Sequence, residues 1–277
     1  MTNSTYNDIR STKILIRGAG DLASGIAHRL CRSGFRVCLI DTDTPMAVRR
    51  MVSFSEAIYD GEKTIEGITA VHISQPEEIL PVWEKGQIPL LIDPANKTRH
   101  FLKPHVLIDA IIAKRNLGTD KGDAPLVIGM GPGFNAGTDV HVVIETNRGH
   151  NLGKLIFEGP AERNTGVPGT IGGFNIERVL RAPCAGIFKS QKDIGDQVAK
   201  GEQIAQVSGV PILSKIGGII RGMLRDNTPV TNGMKVGDVD PRGDIRLCPT
   251  ISDKARSLGG AAIEAILSQL PELLPAQ

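Results

Sequence analysis

The stretch KILIRGAGDLASGIAHRL, residues 13–30, decides the fold expected for the first half of the chain. Its apolar start predicts a short buried strand that ends at Arg17. The pattern Gly18-x-Gly20-x-x-Ala23 follows directly, and apolar residues then recur at helical spacing as far as Leu30. Strand, glycine loop and helix in this order predict a Rossmann-like βαβ unit.

Each residue of the loop suits dinucleotide binding for a specific physical reason. Gly18 permits the tight turn, Gly20 lets the backbone approach a pyrophosphate, and Ala23 is small enough for the helix to pack on the strand. The helix N-terminus offers free N–H groups, and Asp41 ends the next strand, where it could accept hydrogen bonds from a ribose. We therefore predict a nucleotide or dinucleotide cofactor. The alternative is a glycine turn kept for packing, with no ligand.

The α/β pattern continues to about residue 180, and a parallel sheet is expected over residues 13–180. Ligands bind at the carboxyl ends of strands in such sheets. Polar residues at or just past predicted strand ends point to a pocket there, namely Asp93, Asn96, Asp109 and Lys114.

A second glycine loop, GMGPGFNAGTD over residues 129–139, also follows a predicted strand. Gly131, Gly133 and Asn135 form a candidate anion-binding nest, since successive glycines expose backbone N–H groups. The loop does not match a P-loop because no Gly-Lys-Ser/Thr follows. His141 is a weak candidate for a catalytic base, and the alternative is an imidazole at the edge of the core.

The cysteines predict neither a disulfide framework nor a metal site. The chain has four, Cys31, Cys38, Cys184 and Cys248, and none forms a C-x-x-C pair. This usage is typical of a reducing cytoplasm. Cys184, in a Pro/Gly loop, is a weak candidate for a reactive thiol, although a small buried hydrophobic role is the commoner case.

The second half contains an internal repeat. Residues 185–207 align without a gap to residues 217–239, so that Gly186 meets Gly218 and Gly201 meets Gly233. Short strands between glycine turns predict a quasi-symmetric β module over residues 181–250. The first half, APCAGIF…IGDQVAKGEQIAQV, resembles the biotinyl/lipoyl-like barrel-sandwich fold. The hairpin at residues 208–212 lacks the carrier lysine, so neither biotin nor lipoate is expected.

Composition narrows the classes of partner. The net charge is +2 and aromatic residues make up 4% of the chain, which does not favour nucleic acid binding. No apolar run reaches the length of a membrane helix, so no membrane partner is expected and the predicted location is cytoplasmic. A flexible tail is predicted over residues 1–12 and a C-terminal helix over residues 251–277. The predicted fold class is thus a Rossmann-like parallel-sheet α/β domain, a barrel-sandwich β module and a helix.

The motifs together carry a family resemblance. GAGDLASG, DPAN, GMGPGFNAGTDVHVVIETNRGHNLG, PGTIGGFN and KVGDVDPRGD resemble the accessory or maturation family of selenium-dependent molybdenum hydroxylases, from Lys13 to about Leu270. The first half is more distantly similar to xanthine dehydrogenase accessory proteins. The resemblance implies a molybdenum hydroxylase or its maturation proteins as partners and a molybdopterin dinucleotide as a ligand. It transfers no catalytic residue.

Three functional hypotheses follow from the sequence. The first is an accessory protein in molybdenum-hydroxylase maturation that binds its ligand at Gly18, Gly20, Ala23 and Asp41. The second is an NAD(P)-dependent oxidoreductase, although no convincing catalytic set is present. The third is a non-catalytic scaffold with an empty loop. Whether the protein is an enzyme stays open, and so does a homo-oligomer formed through the β module.

Overall fold

A computed structural model describes residues 9–273 of the chain. By its internal contacts the chain divides into two compact units. Of the described residues, 9–45, 53–164 and 251–273 form the larger unit, and 46–52 and 165–250 form the smaller unit. Residues 165–180, assigned to the first domain from the sequence, lie in the smaller unit by this division. Residues 1–8 of the expected tail and 274–277 of the expected helix lie outside the described residues.

The larger unit is built on a nine-stranded sheet with the order β10-β9-β7-β6-β1-β2-β5-β4-β3. A separate small pair joins β8 and β11. The strands are β1 (Lys13–Arg17), β2 (Arg36–Asp41), β3 (Glu62–Ile65), β4 (Ile68–His72), β5 (Ile88–Ile92), β6 (Val106–Asp109), β7 (Leu126–Met130), β8 (Asn135–Ala136), β9 (Val142–Ile144), β10 (Leu155–Ile156) and β11 (Gly159–Pro160). The central strands are almost fully buried because apolar side chains cover both of their faces.

The α-helices of the larger unit that lie wholly within the described residues pack around this sheet. They are α1 (Asp21–Arg32), α2 (Ala57–Asp60), α3 (Ile79–Glu84), α4 (Thr98–Leu102) and α5 (Asp253–Leu273). Short 3₁₀ turns accompany them at Phe54–Glu56, Pro76–Glu78 and Lys121–Asp123. Within the described part of the chain, neither α5 nor any shorter helix combines the length and the apolar content needed to cross a membrane.

The predicted parallel Rossmann-like sheet is wrong, because the sheet is mixed. The strands from β9 to β4 run parallel, but β3 and β10 pair antiparallel at the two edges. At one edge Glu66 and Gly67 both have positive φ, 44° and 83°. Two consecutive residues of this kind form a tight hairpin turn, so the chain reverses at once instead of crossing over through a helix. The polar segment of β3 carried no apolar run that could have revealed this strand.

The predicted barrel-sandwich module is also wrong as a fold assignment. The smaller unit consists of two four-stranded antiparallel sheets, β12-β19-β17-β14 and β16-β15-β13-β18. Its strands are β12 (Val179–Arg181), β13 (Gly186–Ser190), β14 (Gln197–Val198), β15 (Gln203–Val207), β16 (Val210–Leu213), β17 (Gly218–Met223), β18 (Pro229–Val230) and β19 (Lys235–Asp240). Glycine turns and apolar alternation specify antiparallel strands, but they do not specify the sheet that each strand joins. Strand β12 precedes the repeat and still pairs with β19.

The repeat itself has a direct structural counterpart. Strand β13 of the first half pairs with β18 of the second, and β14 pairs with β17 in the same way. The aligned glycines Gly186 and Gly218 have φ of 154° and 153°. At Gly218 a Cβ would lie 2.3 Å from the carbonyl oxygen of Asp240, so only glycine allows the close approach of these strands.

Candidate functional site

The carboxyl ends of the parallel strands form the edge at which the larger unit gathers its predicted site residues. Strand β1 is followed by β2 on one side and flanked by β6 on the other, so the strand order reverses beside β1. Sheets of this kind bind ligands at such a reversal. Gly18 lies there with φ of 97°, and a Cβ on it would come within 3.0 Å of the Ala110 carbonyl oxygen. Gly18 is therefore required by the backbone itself.

Gly20 has a different role from Gly18. It is the N-cap residue of α1, and no side chain of the described residues caps this helix end. Its φ is −67°, and an added Cβ would meet nothing within 4 Å. The first turn of a helix carries N–H groups without partners in the helix and a partial positive charge. Open space therefore lies beside an uncapped helix N-terminus, and Ala23, 1% exposed, packs beneath it as predicted for the third position of the motif.

Asp41 supports the loop directly. One carboxylate oxygen accepts the Ala19 N–H at 2.8 Å and the other accepts the Thr42 N–H at 2.8 Å. Burial raises the pKa of Asp41, and the two backbone hydrogen bonds counteract that rise. The predicted contact of Asp41 with a ribose stays a prediction, and the observed contacts show that this carboxylate holds the glycine loop on β2.

A second helix N-terminus lies at the same edge. Gly25 of α1 contacts Ala255 of α5, and Arg29 contacts Gly259, so both contacts advance by four residues in the same direction. The two helices therefore run parallel, and their N-termini lie on the same side of the unit. Parallel helix dipoles with neighbouring N-termini reinforce the positive potential there.

Lys254 is the second residue of α5 and was not found from the sequence. Its side chain is half-buried. Burial lowers the pKa of its ammonium group, and the positive charge of Arg148 lowers this pKa further. The negative charges of Asp21 and Glu145 raise the same pKa. Because these charges act on the lysine at short range, it lies near the start of α1 and the end of β9. The only local signal was Ser252, whose hydroxyl caps α5 by accepting the Ala255 N–H at 3.2 Å.

The acidic groups near Lys254 are mostly engaged elsewhere. Arg148 makes a two-fold ion pair with Asp253 at 2.6 and 2.8 Å. The buried carboxylate of Glu145 accepts the backbone N–H groups of Asn147 and Glu162 at 2.6 and 2.7 Å. The side chains of Asp253 and Glu145 are thus committed to other partners, and the Lys254 ammonium lies near Asp21 at the start of α1.

Two buried polar side chains connected to the glycine loop have no hydrogen-bond partner among residues 9–273. Asn96, 3% exposed with φ of 56°, has no hydrogen bond to its side-chain oxygen or nitrogen among the described residues. Its backbone connects to the glycine loop through Asp93, whose N–H donates to the Asp41 carbonyl at 2.9 Å. The fully buried Ser55 donates its N–H to the Ala19 carbonyl, while its hydroxyl has no partner in the described part of the chain.

A buried ion pair braces the loop after β6. Arg17 donates to Asp109 at 3.2 Å, and the Thr119 hydroxyl donates to the same carboxylate oxygen at 2.6 Å. Arg17 also hydrogen-bonds to the Thr119 hydroxyl. Asp109, which the sequence placed at this edge, is therefore committed to protein partners and positions residues 110–119.

The second glycine loop is explained largely by packing. A Cβ on Gly133 would lie 2.5 Å from the Arg115 nitrogen, and one on Gly131 would overlap the Thr146 side chain. The Gly131 N–H donates to the Ile144 carbonyl at 2.8 Å, and the Asn135 N–H donates to a carboxylate of the same loop at 2.9 Å. The predicted anion site at Gly131, Gly133 and Asn135 stays a prediction, with two of its N–H groups already used.

The structure places the two weak catalytic candidates in different units. His141 precedes β9, at the amino end of the sheet, and its Nδ1 accepts the Val127 N–H at 2.9 Å. Burial lowers its pKa, so the ring is held neutral. Cys184 belongs to the smaller unit, where it packs on the apolar cluster and its thiol donates to the Val207 carbonyl at 3.6 Å. Among residues 9–273, no group of three or more His, Cys, Asp and Glu side chains could hold a metal ion.

Comparison with known proteins finds a curated relative whose name assigns it no activity. It is 47% identical over 254 residues to "Uncharacterized protein YqeB" of Escherichia coli (strain K12). The match covers 92% of this chain and 47% of the relative, so the chain spans about half the length of the curated relative it matches. No family model matches the chain.

Similar solved structures are distant. A structure of TcdA (CsdL) is 14% identical, with coverage of 98% of this chain and 90% of that chain and a TM-score of 0.38. An aspartoacylase family protein from Mesorhizobium loti is 13% identical, with coverage of 82% and 84% and a TM-score of 0.26. A succinylglutamate desuccinylase/aspartoacylase from Rhodobacter sphaeroides is 15% identical, with the same coverage and TM-score. Scores this low assign no activity to this chain.

These findings overturn the family resemblance read from the motifs. Neither the curated relative nor any of these structures is named as a molybdenum hydroxylase accessory protein, and no family model supports that family. The predicted role in molybdenum-hydroxylase maturation is wrong, together with its selenium and molybdenum chemistry. The alternatives of an NAD(P)-dependent oxidoreductase and of a scaffold with an empty loop have no support from the comparisons either.

Proposed function

We propose that the larger unit binds a small molecule through an oxyanion group, a phosphate or a carboxylate, at the carboxyl edge of its sheet. The observation that carries this proposal is the uncapped N-terminus of α1, with open space beside Gly20, at the point where the strand order reverses. A helix N-terminus of this kind binds anions through its free N–H groups and its dipole.

Lys254 supports the same ligand chemistry. An ammonium group at the start of a parallel neighbouring helix adds a full positive charge to the two helix dipoles. Because the group is half-buried, a bound oxyanion would interact with it in a medium of lower dielectric than water. The negative charge of Asp21 opposes binding, and Lys254 offsets it.

Inorganic pyrophosphate is a suitable probe, and the backbone amide signals of residues 20–23 report on the site by NMR. We expect these signals to move on titration. Gly20→Val should weaken binding by at least about tenfold, since the new side chain fills the space beside the free N–H groups. Lys254→Met should weaken binding as well.

Gly260→Ala is the matched control, because Gly260 also has nothing within 4 Å of an added Cβ and lies away from the start of α5. It should bind pyrophosphate like the unmodified protein. Gly20→Val should still fold, since its backbone has an ordinary φ and the substitution costs about 1 kcal/mol at an N-cap position. Unmoved amide signals, or equal affinity of Gly20→Val and Gly260→Ala, would show that this edge is not an anion site.

A further inference from the structure

A cavity of about 390 Å³ opens elsewhere in the larger unit, and basic side chains make up most of the described residues that line it. The described residues of its wall are His28, Arg29 and Arg32 of α1, Ser33 after that helix, Arg256 and Ile263 of α5, and the acid Glu66 from the turn between β3 and β4. We propose that this cavity is a second ligand site, which binds a phosphate-class dianion.

The charges in the cavity do not balance. Arg256 donates at 2.6 Å to the carboxylate of Glu66, which is the one acid that the described residues contribute to the wall. In the described residues, neither Arg29 nor Arg32 forms an ion pair or a side-chain hydrogen bond. Two exposed guanidinium groups one turn apart on a helix repel each other, and a shared dianion would relieve that repulsion.

The wall of the cavity is held in place by Glu66. Its φ of 44° is a left-handed conformation that non-glycine residues adopt only at a cost in free energy. The Glu66 carboxylate compensates by accepting the Ile251 N–H at 2.8 Å in addition to Arg256. The carbonyl of Glu66 accepts a hydrogen bond from His28 Nε2 at 3.3 Å. The turn is therefore fastened to both helices that line the cavity.

The pKa of His28 should depend on whether the cavity holds an anion. The residue is 5% exposed, and burial lowers its pKa. The charged groups around it are Glu66 from the turn, which raises the pKa, and Arg32 and Arg256 from the two helices, which lower it. A dianion in the cavity would favour the imidazolium form, so binding should raise the pKa of His28.

Phosphate fits this arrangement better than a monocarboxylate does. The planar guanidinium group pairs with two oxygens of one phosphate, and two such groups neutralise its two charges. The cavity is also separate from the carboxyl edge. Arg29 and Arg32 lie in the last turn of the 12-residue helix α1, about 15 Å along the axis from Gly20 at a rise of about 1.5 Å per residue.

The His28 imidazole signals in NMR spectra of the full chain report on this site, with assignment by His28→Gln. Inorganic phosphate should shift these signals and raise the pKa of His28, whereas sodium chloride at equal ionic strength should not. Glycerol 3-phosphate serves as a second probe. Tighter binding of the ester would indicate a phosphorylated metabolite as the ligand, and equal binding would indicate free phosphate.

The double variant Arg29→Gln/Arg32→Gln should weaken phosphate binding by at least about tenfold, because each lost guanidinium removes charge-assisted hydrogen bonds. It should leave the pyrophosphate response of residues 20–23 intact, and Gly20→Val should leave the His28 response intact. Arg246→Gln, an exposed arginine of the smaller unit, is the control. The proposal is overturned if phosphate does not move the His28 signals, or if the double variant responds like the control.

Discussion

At the scale of single residues, the described part of the smaller unit shows how buried charge is held by partners. Asp240 is 1% exposed and contacts Arg242 at 2.6 Å and Arg221 at 3.4 Å. Arg178 pairs in the same way with Asp238 at 3.0 Å. Arg221 is itself buried, so the removal of the Asp240 charge would leave a guanidinium with less compensation in the interior.

Asp240→Asn should therefore destabilise the protein by about 3–5 kcal/mol, as the breaking of a buried ion pair does. Burial alone raises the pKa of Asp240, but the hydrogen bonds and charge of Arg242 and the charge of Arg221 outweigh it and hold the pKa below its usual range. A lowered folded-state pKa stabilises the protein above the unfolded value of about 3.9 and ceases to do so as the pH falls through the folded-state pKa. Urea denaturation between pH 7 and pH 3 measures this.

The stability difference between the wild type and Asp240→Asn should be constant near neutral pH and should shrink below about pH 3.9. Arg246→Gln is the control, since the Arg246 side chain is 85% exposed. A difference that stays the same down to pH 3 would contradict the role assigned to the Asp240 carboxylate.

At the scale of elements, α1 and α5 pack through small residues. An added Cβ on Gly25 would lie 2.5 Å from the Ala255 Cβ, and one on Gly259 would lie 2.8 Å from the Arg29 side chain. The two glycines let the helix axes approach closely, and this approach brings Lys254 to the carboxyl edge. The close approach of the two helices also places Arg256 in the wall of the basic cavity.

Gly25→Val should separate the two helices and destabilise the larger unit by about 1–3 kcal/mol or more, because a side chain is forced into a packed interface. Gly260→Ala, in a helix and with open space around it, should be neutral or stabilise the protein by up to about 1 kcal/mol. Thermal denaturation of both variants tests the contrast. A Gly25→Val protein as stable as Gly260→Ala would mean that the helices do not pack as described.

At the scale of the whole molecule, each unit has its own apolar core, and the chain enters each of them more than once. Leu15, Leu107 and Val127 belong to the core of the larger unit, and Phe188 and Ile220 to that of the smaller unit. The segment from residue 251 onward returns to the larger unit after the smaller unit is complete. The larger unit therefore acquires α5 only after the segment that forms most of the smaller unit.

Deletion of the chain from residue 251 onward should destabilise the larger unit and leave the smaller unit folded. The buried surface of α1 would lose its partner helix, whereas the two antiparallel sheets contain no residue of the deleted segment. Hydrogen exchange followed by mass spectrometry reads the two units separately. Faster exchange in β13, β15 and β17, or unchanged protection in α1, would contradict this expectation.

Much of the larger unit's local structure was accessible from the sequence, and its arrangement was not. The structure restricts the residue type at two positions of the predicted loop, since Gly18 has a positive φ and Ala23 is buried, whereas Gly20 has an ordinary φ and open space around it. The edge strands β3 and β10 could not be foreseen, because a two-residue hairpin turn and a short polar strand leave almost no periodic signal.

The sequence by itself determined β1, α1 and β2 and the helical nature of the C-terminal segment, because these depend largely on contacts between near neighbours in the chain. The paired glycines of the repeat were visible through the internal alignment alone, although their contacts join distant residues. Only the tertiary structure decided that Asp41 holds the Ala19 N–H, that Lys254 reaches the start of α1, and that Glu66 fastens a turn to two helices beside a basic cavity. Such contacts join distant segments, and their free energy depends on burial and on partners that exist only once the chain has folded.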